Sequence, residues 1–143
     1  MTVTDPTTVL TADTEQAPKR RLWATSAIAG VAAAAAITAV AAVGHAAGVS
    51  LEIDGEQIPL LGFTQMTLLG AVLGGLILAV LNRFSRRPHA QFVRTSVVLT
   101  AISCIPSVAW PDDTTTKVLL VATHVLAAAM IVPALVRHAR PDR

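Results

Sequence analysis

The chain has no tyrosine, a single cysteine and three phenylalanines, and charged side chains make up only 14% of its 143 residues. Each shortage removes a class of protein. A soluble domain of this length carries nearer a quarter of its residues as Asp, Glu, Lys and Arg, so this composition cannot build a water-facing shell. Cys104 alone cannot close an internal disulfide or run a thiol relay, and it stands in neither a lipobox nor a prenylation site. The 8 glycines and 8 prolines follow no period, which excludes a collagen-like chain. A pI near 9.3 raises the question of nucleic acid, but no basic stripe is interleaved with aromatics, so no nucleic-acid partner is expected.

What is abundant is apolar: 53% of the residues are hydrophobic and the mean hydropathy is +0.61. They gather into four runs, about 22–48, 63–81, 92–110 and 118–136, each near or above the roughly 20 residues that cross a bilayer core. The first follows Lys19, Arg20 and Arg21 and so begins like a secretory signal. It is far longer than the roughly 7–15 residues of a signal's apolar region, and it is therefore read as a retained span. Residues 1–21, rich in Thr, Asp, Glu and Pro before the basic cluster, are expected to form a disordered cytoplasmic tail, and 139–143 a second, short one. Pro106 in the third run and Pro133 in the fourth are tolerated where neighbouring groups satisfy the freed carbonyl, and Arg94 can extend back to the interface.

Lys and Arg accumulate on the cytoplasmic side of membrane proteins. Of the 11 here, only Lys117 falls in the two loops that also carry Glu52, Asp54, Glu56, Asp112 and Asp113. Both termini are thus expected in the cytoplasm, with Trp23 and Trp110 at opposite interfaces. The domain from 22 to 138 reads as an all-α, four-transmembrane-helix antiparallel bundle in the cytoplasmic membrane. The first outer loop, Ser50 to Pro59, alternates around Asp54-Gly55, the signature of a small extracytoplasmic β-hairpin. Its three carboxylates lack the close ligand spacing of a calcium loop.

Inside the spans, Ser96, Thr100, Ser103 and Ser107 recur every three or four residues and share one helix face. They can bond to helices or wall a polar cavity. His45 and His124 are the ionisable groups of the outer half, with Gln65 and Cys104 at a comparable level, so each helix supplies one polar group there. An intramembrane histidine is a candidate site by default. It can pack against Thr100, Ser103 or a helix carbonyl, or join a haem, copper or zinc site with Cys104, although the paired spacing of a metal motif is missing. Gly44 and Gly48, and Gly70 and Gly74, stand four apart, the spacing that lets helix backbones approach. No Asp or Glu lies within a span, so a carboxylate-driven transporter is not expected, and no enzymatic motif is present.

Three segments, Asn82-Arg83-Phe84-Ser85-Arg86-Arg87-Pro88, Ser103-Cys104-Ile105-Pro106, and His124 with Val132-Pro133, resemble a family of small actinobacterial four-helix membrane proteins known only as a domain of unknown function. The likeness covers about residues 22–138. It implies four spans in an inner membrane and supplies no activity, while marking His124 and Pro133 as characteristic positions. The function expected from the sequence is therefore non-enzymatic, requiring no cofactor or metal: an accessory subunit of a larger membrane complex or a homo-oligomer in the lipid bilayer, or a binding module for a small apolar ligand. The alternative is a redox or metal-binding protein using His124, His45 and Cys104.

Overall fold

A computed structural model describes residues 6–53 and 55–142, with side chains from Arg20 onward. Asp54 and Arg143, which entered the charge partition, and residues 1–5 of the expected tail lie outside the described residues. The elements in order are α1 (Pro6–Ala46), β1 (Glu52–Ile53), β2 (Glu56–Gln57), α2 (Leu60–Phe84), α3 (Pro88–Ala109) and α4 (Thr114–Val136). Arg20–Ala46 of α1 and the full lengths of the other three helices are long and apolar enough to cross a membrane. Even α3, the shortest at 22 residues, rises about 33 Å against a hydrocarbon core of about 30 Å. Ile28, Val43, Leu61, Val72, Val97 and Val118 stand exposed on the outside, a surface that water would drive to aggregate and that lipid tails solvate. The chain is built as a multi-pass membrane protein.

Local chemistry sets the helix ends, and it moves the starts of α2, α3 and α4 three or four residues outward from their apolar runs. α3 starts at Pro88, since a proline fits the first helical position, where its missing N–H has no partner to lose. α4 starts four residues before its apolar run because Asp113 caps it. The Asp113 carboxylate accepts the backbone N–H of Thr116 at 2.9 Å and the hydroxyls of Thr115 and Thr116. The Thr115 hydroxyl, then the Thr116 N–H, hold its pKa down at about 2. α1 closes on a Schellman motif: Gly48 takes a φ of +95°, its N–H bonds His45 O at 3.0 Å, and the Val49 N–H bonds Gly44 O at 3.0 Å. At its other end α1 is helical from Pro6, where a disordered tail was expected through Arg21. A helix already formed by the span extends without a new nucleation cost.

α1 packs on α2 through small side chains. A Cβ on Gly30 would sit 2.7 Å from the Cβ of Ala71, and one on Gly75 would sit 2.9 Å from Ser26 Oγ, so these positions let the backbones approach. Ser26 donates its hydroxyl to the Ala71 carbonyl at 2.8 Å, and Thr38 meets Thr64 at 2.7 Å, which ties two apolar helices with polar bonds. Around this seam lie two cores. One holds Leu22, Ala71, Leu78, Phe92, Ile131 and Leu135. The other holds Ile37, Ala41, Leu51, Phe63 and Leu120.

Each end of the bundle is fastened differently. At one, the Asn82 side chain donates to His138 O at 3.1 Å and accepts the Arg140 backbone N–H at 2.9 Å, clipping the segment after α4 to the last turn of α2. His138 Nε2 also meets the Thr25 hydroxyl of α1 at 3.3 Å. At the other, β1 and β2 pair antiparallel with Glu52 opposite Gln57 and Ile53 opposite Glu56. Gly55 has a φ of +79°, the sign a two-residue hairpin connection needs. Leu51, just before β1, takes a φ of +51° and is 1% exposed, so burial against the second core holds a backbone conformation that leucine rarely adopts.

Candidate functional site, a lateral cleft between three helices

Between α2, α3 and α4, with Ile37 of α1 and Ile58 of the loop also in its lining, lies a cleft of about 610 Å³, within the size range of small-molecule sites. Its lining on α4 runs from Leu120 to Leu135, a rise of roughly 22 Å and so most of a bilayer core. The floor is closed by Phe63, Phe92, Leu120 and Leu135, which are buried. The rim is different: Met66, Leu69, Leu73, Leu99 and Ile102 line the cleft yet remain between 46% and 66% exposed. An apolar rim that is half uncovered along the helix sides opens the cleft laterally, toward the region that lipid tails fill.

The polar groups of this cleft are few, and they bond mainly to their own helices. Thr67 donates to Phe63 O at 2.7 Å, Ser103 to Thr100 O at 2.8 Å, and Thr123 to Leu120 O at 2.8 Å. Ser107, just beyond the lining, reaches back to Ser103 O at 3.4 Å. Such back-bonding satisfies hydroxyls in lipid without a second helix. His124 follows suit, with Nδ1 at 2.8 Å from Leu120 O. A carbonyl can only accept, so Nδ1 carries the hydrogen. Because α4 starts at Thr114, His124 lies about 15 Å along it, nearer the helix middle than its apolar run indicated.

Of the residues singled out from the sequence, His124, Ser96, Thr100, Ser103, Gly70 and Gly74 line this one cleft. His45, Gln65 and Cys104 do not. His45 is exposed in the last turn of α1, Gln65 is exposed on α2, and Cys104 is a partly covered free thiol on α3. Their common depth did not become a common site, because depth along a helix says nothing about the direction a side chain takes around it. Among the described residues no three His, Cys, Asp or Glu side chains gather, so His124, His45 and Cys104 form no ligand set here.

The glycines also divide. A Cβ on Gly44 would come within 2.7 Å of Leu119 on α4, so Gly44 is a packing residue, whereas Gly48 has open space and serves the helix cap. Gly74 faces Leu135 at 3.1 Å inside the cleft, and Gly70 has nothing within 4 Å. The close approach of α1 to α2 is made one position further on, at Ala71 and Gly75, with Gly30 opposite. That small pair was present at the same spacing of four, but the neighbouring glycine pair hid it.

The model of a protein family described as a family of unknown function, DUF6069, matches residues 17–141. No curated protein and no solved structure matches the chain.

Proposed function

We propose, for a chain that belongs to the DUF6069 family, a non-enzymatic role in the cytoplasmic membrane: it takes an apolar, chain-shaped ligand from the bilayer into the cleft between α2, α3 and α4. The carrying observation is the cleft itself, about 610 Å³ of largely apolar space open along its side within the predicted depth of the hydrocarbon. Gly70 supplies the test. A Cβ there meets open space, so Gly70→Leu places its bulk in the cleft without a clash at the backbone. Native mass spectrometry of gently solubilised protein should show a bound lipid-like mass on the wild type and about a tenfold lower occupancy on Gly70→Leu. Equal occupancy on the two proteins would overturn the reading.

The fold supports an antiparallel arrangement, since Thr38 of α1 meets Thr64 of α2 while Ser26, earlier in α1, meets Ala71, later in α2. The bias of ten basic residues against one supports putting both termini in the cytoplasm and the hairpin outside. In a Cys104→Ser background, Asp112→Cys should react with an impermeant thiol reagent on intact cells, and Ser85→Cys and Arg140→Cys only after permeabilisation. Reaction of Ser85→Cys in intact cells would invert the topology. Association with further copies or with a larger complex is part of the same reading, and the uncovered rim of the cleft is the surface it would use.

A further inference from the structure

The cleft of the proposed function has one polar atom whose chemistry is fixed by its surroundings, and that atom selects among apolar ligands. His124 holds its Nδ1 hydrogen on the Leu120 carbonyl at 2.8 Å. In a neutral imidazole with Nδ1 protonated, Nε2 has a lone pair and no hydrogen. Nε2 has no partner among the described residues, and its ring lines the cleft. Thr123 cannot turn its hydroxyl to Nε2 without giving up its own bond to Leu120 O. The cleft therefore presents an unpaired acceptor in an apolar wall about midway along the span.

From this we infer that the ligand carries a hydrogen-bond donor at its polar point, and that its class is an aliphatic or isoprenoid alcohol. The inference rests on the cleft being a ligand site. A hydroxyl gives its hydrogen to Nε2. An ether, a ketone or a quinone carbonyl brings a second lone pair to that atom and leaves Nε2 unpaired in a medium without water, which is the costly arrangement. Thr100 and Ser96, on the α3 wall, have hydroxyls that serve a ligand oxygen of either kind, so they add affinity without discriminating. A carboxylate finds no cation among the lining residues. Alternatives are thus separated by one atom: the acceptor at His124 favours the alcohol over its ether and ketone.

The test uses the full chain in lipid nanodiscs and three probes of one chain length: hexadecanol, its methyl ether and the matching ketone. The wild type is expected to bind the alcohol about tenfold more tightly than the other two, the effect of one hydrogen bond made or missed. His124→Phe keeps the ring's bulk and removes the acceptor, and should bring the three affinities together. Gly70→Leu should weaken all three alike. Nitrogen NMR of histidine-labelled wild type gives a readout that no variant's folding can confound: the Nε2 resonance should move when the alcohol is added and stay put with the ketone. Equal affinities for the wild type, a still Nε2 resonance, or an alcohol preference that survives in His124→Phe would overturn the inference. If Gly70→Leu nevertheless weakens all three probes, the cleft reading stands without it. Failure of every probe to bind would overturn both.

Discussion

Gly30→Leu is expected to lower the unfolding free energy by about 3 kcal/mol or more, the upper end of what overpacking costs in a closed core. The reason is that the obstacle is not a movable side-chain tip. A Cβ at residue 30 already falls 2.7 Å from the Cβ of Ala71, and that atom is fixed to the α2 backbone, so the two helices must separate. Gly75→Ala meets Ser26 Oγ at 2.9 Å and Trp23 at 3.3 Å, and should cost about 1–3 kcal/mol while disturbing the Ser26 hydroxyl's bond to Ala71 O. Gly70→Ala, five residues before it on the same helix, has open space and should stabilise by up to about 1 kcal/mol through helix propensity alone. Thermal unfolding of the three variants in one detergent checks the order. A Gly70→Ala that is as damaging as Gly75→Ala would show that α2 packs through its other glycine stripe.

Leu51→Ala should destabilise by about 2–5 kcal/mol, the range for truncating a fully buried leucine. Leu51 is the side chain by which the hairpin is anchored to Ile37, Ala41, Phe63 and Leu120, and its carbonyl accepts the Ile58 N–H at 2.8 Å to close the loop. Truncation removes the burial that offsets its positive φ, so the loop loses its anchor and its reason for that backbone shape together. Hydrogen exchange should show the Ile58 amide opening well before the helices do. Retained protection at Ile58 in Leu51→Ala would mean that the strand pairing, and not the leucine, holds the loop.

The four spans were legible because length and apolarity are properties of a run of residues, and lipid demands little else of them. The hairpin was legible from Asp54-Gly55 and the alternation around it, because turn geometry is local. Helix ends were less so: Asp113 as a cap lies outside the apolar run and lengthens α4 by chemistry that hydropathy does not register. The site was legible only in part. His124, Thr100 and Ser103 could be placed at a depth, but which of them line one cleft depends on how the helices are turned toward one another, and small residues such as Ala71, Gly75 and Gly30 fix that for α2 against α1. Gly70 and Gly74 advertise the same spacing as Ala71 and Gly75, shifted by about 100° around the helix. Spacing identifies a stripe of small residues; only the packed partner shows which stripe is used.

The clip at Asn82 also sets a schedule for biogenesis. Its amide waits for the His138 carbonyl and the Arg140 N–H, and Arg140 also returns its guanidinium to Asn82 O at 3.0 Å, across 58 positions of chain. At roughly 5–20 residues per second, translation delivers those partners about 3–12 s after Asn82 itself. During that interval α1 and α2 can already be seated together through Ser26 and Thr38, while the end of α2 borrows water or lipid headgroups for its open amide. The latch at this end of the bundle thus closes only after α4 and the segment behind it have been made.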